Sequence, residues 1–179
     1  MIDRRDEIAD EFMKHFHHFG FKKTSVDEVA GQLHISKKTI YEYFESKENV
    51  FEFVIARESK KISAQMEVRL KTIHTADEKI RTLIHMIFEN AVNYILASKN
   101  LDFKAQDEIA TRAFQSAYEI ILRDVIDEGK HSKKFSQSIG EPELSYIFAV
   151  ILQGLNSLRK DPEINPEKSV CSMVLKMLL

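Results

Sequence analysis

The sequence has no tryptophan, a single cysteine, three prolines and five glycines in 179 residues. The lone Cys171 excludes an internal disulfide and a zinc site made of cysteine pairs. No apolar run reaches the roughly 20 residues that a membrane-spanning helix needs, and residues 1–7 lack the apolar segment of a signal peptide. We therefore expect a cytoplasmic protein with no membrane partner.

An excess of basic residues is lacking too. The 26 lysines and arginines are balanced by 28 aspartates and glutamates, which gives a formal net charge of −2. The overall charge therefore does not indicate a nucleic-acid partner, and binding to phosphates would require a local basic patch.

Features of an enzyme are also missing. His15, His17 and His18 lack the four-residue spacing that a metal-binding pair on one helix face needs. There is no glycine-rich phosphate loop, no Ser–His–Asp set and no pair of acids in an apolar setting. We expect no enzymatic activity, no cofactor and no metal site.

Apolar residues recur at spacings of three and four, as in Ile8, Phe12 and Phe16, whereas period-two alternation is rare, so the predicted fold class is all-α. Ser25 and Thr75, each followed by glutamate three residues later, fit capping boxes. Pro142 and Pro166 suit first turns. Helices are predicted at about 3–18, 26–32, 37–43, 47–72, 77–97, 103–109, 111–128, 143–159 and 166–178, with errors of ~2–4 residues at each end.

Residues 26–44 are typical of a helix-turn-helix. The small Ala30 permits close approach of the second helix, whose start Ser36 can cap. Ile40 and Phe44, four residues apart, predict its inward stripe. The predicted outer face carries hydrogen-bond donors and aromatic rings, as does a helix that enters the DNA major groove: Lys37, Lys38, Thr39, Tyr41 and Tyr43.

Thr24-Ser25, Val29-Ala30 and the run from Ile35 to Glu48 resemble the signature of TetR-family transcriptional regulators, over roughly residues 8–54. That family has a hydroxyl pair before the second helix, a Val-Ser-Lys turn, a Thr-Leu-Tyr-x-Tyr/His-Phe recognition helix and a Ser-Lys-Glu start to the fourth helix. The resemblance implies a dimer of all-helical subunits, in which a C-terminal domain binds a small ligand and releases the protein from DNA.

The same resemblance implies which residues contact DNA. Lys37 and Lys38 match base-reading positions, and Ser36 at the helix start is a further DNA-binding candidate. An ammonium at the start of the fourth helix would also form an anion site with the helix N-terminus, which independently favours Lys47. The implied phosphate contacts are Thr24, Thr39, Tyr41, Tyr43 and Lys47.

Several positions depart from the family pattern or allow another interpretation. His34 replaces the usual turn glycine and would carry modest strain in a left-handed conformation. Glu42 replaces a histidine, and either accepts a bond from a cytosine amino group or turns aside. Tyr41 and Tyr43 could instead be core aromatics, and the exposed lysines could be ordinary solvated charges.

The predicted helix over 77–97 is apolar on a broad arc with a few polar residues, as expected if it walls a ligand pocket. Asn90 could orient a ligand, or it could face solvent. An aromatic stripe is as well explained by plain core packing. The ligand-binding candidates are Phe88, Asn90, Tyr94, Phe103, Phe114 and Tyr118.

The last two predicted helices have wide apolar faces, and Gly154 in the middle of one suggests a close approach of helices. The resemblance implies a two-fold dimer bundle there; the alternative is burial within one subunit. The predicted dimer-interface residues are Phe148, Ile151, Leu155, Val170, Met173, Val174 and Met177.

The sequence therefore predicts a helix-turn-helix DNA-binding domain over 1–46 and a helical regulatory domain, for ligand binding and dimerisation, over 47–179. The leading hypothesis is a repressor that a small-molecule ligand releases from a palindromic operator. A second hypothesis is a DNA-binding module without a ligand. A third is a helical interaction protein that does not bind DNA.

Overall fold

The structure, a computed structural model, describes residues 3–98, 104–161 and 163–179, with side chains outside 93–108. In these ranges the chain forms eight α-helices and no strand, which confirms the all-α fold class. The helices are α1 (Arg4–Phe19), α2 (Val26–Gln32), α3 (Lys37–Tyr43), α4 (Lys47–Lys71), α5 (Ala76–Ser98), α6 (Lys104–His131), α7 (Glu141–Lys160) and α8 (Glu167–Leu178).

The chain is organised in two compact units. The first unit comprises Met1–Lys61 and Ala97–Gln115, and the second comprises Ile62–Leu96 and Ser116–Leu179. Helices α4 and α6 therefore contribute residues to both units, and the last two residues of α5 belong to the first unit. No described helix is long and apolar enough to cross a membrane.

Phenylalanine rings form the centre of the first unit. Phe16 lies 5.6 Å from Phe12, 5.5 Å from Phe21 and 5.4 Å from Phe51, measured between ring centroids. Such tilted and edge-on pairs contribute beyond the area they bury. The cluster joins α1, the segment after it and α4.

Local backbone chemistry sets the ends of the short helices. The Oγ atom of Ser36 accepts a hydrogen bond from the backbone N–H of Thr39 at 3.0 Å, which confirms the predicted cap of α3. His34 has a φ of 53°, as expected for the turn position that it shares with a family glycine. The predicted capping box at Ser25 is wrong, because Ser25 makes no side-chain cap bond. At Thr75 the hydroxyl does accept from the backbone N–H of Glu78, at 3.3 Å.

Helix α6 corrects the prediction of two helices over 103–109 and 111–128. Residues 109–112 contain neither glycine nor proline, so nothing interrupts the helical hydrogen bonds there. Gly129, predicted to begin a break, also stays helical. A Cβ at that position would lie 2.0 Å from the ring of Phe135, so the glycine lets the ring pack on the helix backbone. The left-handed Lys133, with a φ of 57°, follows the end of the helix.

Gly154 lets α7 approach its neighbours closely in the second unit. A Cβ at this position would lie 2.5 Å from Cγ2 of Val170 in α8 and 2.8 Å from Cζ of Phe88 in α5. This close packing confirms the interpretation of the mid-helix glycine. It also means that the apolar faces of α7 and α8 are used largely within the second unit.

We expect Gly154→Ala to destabilise the protein and Gly31→Ala to stabilise it. Overpacking costs about 1–3 kcal/mol, which exceeds the roughly 1 kcal/mol gained in helix propensity. A Cβ at Gly31 in α2 meets nothing within 4 Å, so only the gain remains. Urea unfolding followed by circular dichroism should separate the two variants by about 2 kcal/mol. Equal stabilisation by both substitutions would contradict the packing at Gly154.

Candidate nucleic-acid interface

Helix α3 has one buried side and one exposed side. Ile40 and Phe44 are 1% and 2% exposed, whereas Tyr41 and Tyr43 are 45% and 39% exposed. The alternative that the two tyrosines are core aromatics is therefore wrong. Ser36, Lys37 and Lys38 are exposed as well, and Thr39 is half-buried. The outer face of α3, defined as residues 36–39, 41 and 43, is thus open to solvent as a continuous polar surface.

The two lysines at the start of α3 differ in their electrostatic surroundings. The Nζ atom of Lys37 donates to Oδ2 of Asp27 in α2 at 3.0 Å. This hydrogen bond, together with the carboxylate charge, raises the pKa of Lys37 above its usual value. Lys38 makes no ion pair with any described residue. The start of α3 therefore presents one carboxylate-paired cation and one unpaired cation.

Hydroxyl groups at the start of α3 bond to each other. The Oγ atom of Ser36 and Oγ1 of Thr39 lie 2.9 Å apart, in addition to the capping bond from the backbone of Thr39. Both hydroxyls keep spare lone pairs and are accessible. They can accept or donate one further hydrogen bond each without breaking the cap.

Thr24 and Lys47 make their hydrogen bonds with the backbone of residues 20–24 and not with residues of this outer face. Thr24 is buried, and its hydroxyl donates to the carbonyl oxygen of Gly20 at 2.8 Å. The Nζ atom of Lys47 donates to the carbonyl oxygens of Phe21 at 2.9 Å and of Thr24 at 3.1 Å. Both side chains therefore donate hydrogen bonds to backbone carbonyl oxygens of their own unit. Partners 23 and 26 residues away could not have been identified from spacing alone.

Arg5 is a residue that sequence reasoning missed. Its guanidinium lies 5.0 Å from the ring centroid of Phe44 and 4.6 Å from that of Phe53. Phe44 is buried, whereas Arg5 itself is exposed, so these cation–π contacts are of the weaker kind found at solvent-accessible sites. Arg5 in α1 thus contacts the residue that ends α3. The Asp3 side chain, which caps α1 by accepting from the Arg5 backbone at 3.1 Å, fixes the start of that helix.

The predicted ligand-binding residues do not share one environment. Phe88 is buried in the core of the second unit against Gly154, as the alternative of plain core packing expects, and its assignment as a pocket wall stays a prediction. Asn90 and Phe114 are half-buried. Tyr118 is buried, and burial raises its pKa to about 12. Phe103 and the side chain of Tyr94 lie outside the described residues.

An open cleft of about 690 Å³ occurs elsewhere in the second unit, and none of the predicted ligand-binding residues lines it. At its edge Nδ1 of His85 lies 3.0 Å from Oε1 of Glu167. Arg81 points a guanidinium N–H at Sγ of Cys171, at 3.9 Å, while burial raises the pKa of that thiol. The lining residues are Arg69, Arg81, Thr82, His85, Met86, Glu89, Glu167, Lys168 and Cys171.

The predicted dimer-interface residues divide into two groups. Phe148, Ile151, Val170 and Val174 are buried within a single chain, so their placement on an exposed interface is wrong. The reason is that α7 and α8 pack on α5 around Gly154. Leu155 is half-buried, and Met173 and Met177 are exposed. Tyr146 and Leu179, which were not predicted, are also exposed, at 67% and 75%.

Among the described residues, no group of three or more histidine, cysteine, aspartate or glutamate side chains could hold a metal ion.

Known proteins resemble this chain in sequence and in structure. Residues 8–54 match the family described as "Bacterial regulatory proteins, tetR family". The chain is 27% identical over 125 residues to the uncharacterized HTH-type transcriptional regulator YhgD of Bacillus subtilis. That match spans 70% of this chain and 64% of the relative.

Three solved structures are similar in fold. The Bacillus subtilis regulator FadR, in complex with stearoyl-CoA, has a TM-score of 0.71 at 19% identity, covering 98% of this chain and 100% of that one. A transcriptional regulator from Cytophaga hutchinsonii has a TM-score of 0.72 at 22% identity, covering 97% of each chain. RolR in complex with resorcinol has a TM-score of 0.71 at 14% identity, covering 97% and 86%.

Replacing Asp27 by asparagine should lower the pKa of Lys37. The carboxylate stabilises the ammonium, and a neutral amide removes that stabilisation, so the proton leaves at lower pH. Heteronuclear NMR of the lysine side chains, followed through an alkaline titration, measures the change. Lys14, whose pKa is raised by Glu11 on α1, is the internal control and should titrate as before. An unchanged Lys37 titration in Asp27→Asn would mean that the pair does not form in solution.

Proposed function

We propose that this chain, of which residues 8–54 match the family of bacterial regulatory proteins described as tetR, regulates transcription by binding operator DNA through α3. One observation carries the proposal: the inner stripe of α3 is buried while its outer face is open and polar. A helix presented in this way can enter a major groove. We assign DNA binding to residues 1–46 and regulation to residues 47–179.

The side chains on the outer face of α3 suit different contacts with DNA. Lys38, exposed and without an ion pair among the described residues, can donate to the acceptor edge of guanine. Tyr41 and Tyr43 present hydroxyl groups that can donate to phosphate oxygens. Ser36 and Thr39 each retain hydrogen-bonding capacity. Thr24, being buried, is not part of the proposed contact surface.

Lys37 would bind DNA in competition with Asp27. The ion pair is exposed on both sides, and exposed pairs are weak. A phosphate or a guanine can therefore displace the carboxylate. Glu42 is exposed, and its two interpretations, as an acceptor for cytosine or as a residue turned aside, remain predictions.

We propose a two-fold dimer that reads a near-palindromic operator. The exposed apolar side chains on the outer side of α7 and α8 support it, since large apolar groups left in water favour association. In place of the buried residues predicted from sequence, the proposed contact comprises Leu155, Met173, Met177 and Leu179.

We propose that the second unit binds a small-molecule effector and that this binding releases a repressor from DNA. FadR was crystallised in complex with stearoyl-CoA and RolR in complex with resorcinol. These complexes support an organic ligand without specifying which one. The ligand would need to prefer a subunit arrangement in which the spacing between the two recognition helices does not match the spacing of successive major grooves. Asn90, Phe114 and Tyr118 remain candidate contacts.

Selection of bound fragments from sheared genomic DNA, followed by sequencing, tests the DNA-binding function. We expect an enriched near-palindromic sequence for the native protein and a less defined sequence for Lys38→Ala, because a base contact is lost. Tyr43→Phe should weaken binding about equally for all sequences. Lys14→Ala, which alters an exposed lysine on α1, is the matched control and should enrich the native sequence. Absence of any enriched sequence for the native protein would refute operator recognition.

Analytical ultracentrifugation tests the proposed dimer contact. Met173→Glu should raise the dimer dissociation constant at least about tenfold, because burying an unpaired carboxylate at the contact is costly. The matched control is Ile120→Glu on α6, which also places a carboxylate at an exposed apolar position and should leave the dimer intact. Dissociation of both variants, or of neither, would contradict this placement of the interface.

A further inference from the structure

We propose that the open cleft of the second unit is a binding site for a small organic anion, one that joins a phosphate or carboxylate group to an apolar body. The cleft has a volume of about 690 Å³, and its lining residues come from α4, α5 and α8, all within the second unit. Small-molecule sites commonly have this volume. Asn90, Phe114 and Tyr118 do not line the cleft, so the inference goes beyond the effector contacts proposed above and does not depend on them.

Two side-chain contacts join α5 to α8 along the cleft. Nδ1 of His85 lies 3.0 Å from Oε1 of Glu167, and a guanidinium N–H of Arg81 points at Sγ of Cys171 at 3.9 Å. Arg81 precedes His85 by four residues, whereas Cys171 follows Glu167 by four. The two contacts are therefore about one helical turn, or roughly 5.4 Å, apart on antiparallel helices. They hold the outer row of α5 beside the start of α8.

Three cations of the cleft make no ion pair with any described residue: Arg69, Arg81 and Lys168. All three are exposed. Arg81 points one of its five N–H donors at a sulfur atom, which is a weak acceptor. The arginine fork matches the geometry of phosphate and carboxylate oxygens, and a lysine adds a compact positive charge. The cleft therefore offers more donors and more positive charge than the protein itself uses.

The two carboxylates that line the cleft do not neutralise these cations. Glu167 is engaged by His85. Glu89 is exposed and lies eight residues beyond Arg81 on α5, which is about 12 Å along the helix axis. Exposed charges at that separation are largely screened at physiological ionic strength. Arg81 is therefore available to an anion from solution.

Less exposed side chains of the cleft suit the apolar body of the ligand. Met86 and Cys171 are half-buried in the lining. Methionine is flexible and polarizable and makes favourable contacts with aromatic rings, and the aliphatic stems of arginine add apolar surface. An aromatic phosphate ester or carboxylate could thus place its charge at the cations and its ring against Met86.

The cleft and the proposed dimer contact lie on different sides of α8. Lys168 and Met173 are five residues apart, which corresponds to about 140° around the helix at about 100° per residue. A dimer formed through Met173 and Met177 therefore leaves the cleft accessible to a ligand.

Protection of Cys171, the only cysteine in the sequence, from alkylation by the neutral reagent iodoacetamide tests the site in the free protein. The probes are phenyl phosphate, benzoate and the uncharged benzyl alcohol, which share an aromatic ring. For the preferred anion we expect a dissociation constant of about 1 mM, so that about 10 mM slows alkylation about tenfold. Comparison of the two anions identifies the preferred group, and benzyl alcohol should give no protection.

Substitutions in the cleft identify the residues that bind the anion. Arg81→Gln and Lys168→Gln should each weaken anion binding about tenfold, because a charged hydrogen bond is lost. Protection is taken as the ratio of alkylation rates without and with the probe in the same variant, because Arg81 is itself next to the thiol. The matched control is Lys176→Gln, which removes an exposed lysine of α8 outside the cleft and should retain native protection. Thermal unfolding identifies any variant that fails to fold, and either cleft variant alone suffices.

Four outcomes would overturn the proposal. They are no protection of the native protein by either anion, equal protection by benzyl alcohol, native protection in the cleft variants, and an equal loss of protection in Lys176→Gln. Because no DNA is present, failure of the native protein to bind DNA would refute the proposed function and leave this measurement unaffected.

Discussion

The burial of Ile40 and Phe44 is the constraint on which the candidate interface depends. Successive residues of an α-helix are rotated by about 100°, so two inward residues four positions apart fix the direction of all the others. Once these two side chains are in the core, Lys38 and Tyr41 have to face solvent. The polar outer face of α3 is therefore a consequence of apolar packing, and the chemistry that meets DNA is set by residues that never touch it.

A seven-residue helix cannot sustain this arrangement alone, because isolated helices of that length are unstable in water. Three interactions from outside α3 support it. Arg5 lies over the ring of Phe44, the ring of Phe53 in α4 packs edge-on against it at 5.4 Å between centroids, and Lys47 donates to the carbonyl oxygen of Thr24 in the segment leading into α2. The supporting residues come from α1 and α4, which explains why a domain of such short helices requires the first part of a long one.

Patterns that repeat along one helix could be predicted from the sequence. The inward stripe ending at Phe44 and the close approach at Gly154 both follow from local spacing and residue size. Interactions between distant parts of the chain could not. An apolar face predicts burial but not the burying partner, so Val170 was assigned to a second subunit when it packs on Gly154 of its own chain. The ion pair of Lys37 with Asp27 depends on backbone turns that single-residue preferences do not encode. The same holds for the hydrogen bond from Lys47 to the carbonyl oxygen of Phe21.

NMR of the isotope-labelled protein during titration with a short DNA duplex tests the central claim most directly. If the outer face of α3 is the contact surface, the largest amide shift changes will occur over residues 36–43, with smaller changes at the segment entering α2. The amides of α7 and α8 will keep their positions apart from uniform broadening. Changes concentrated on those C-terminal helices, with α3 unperturbed, would contradict the account.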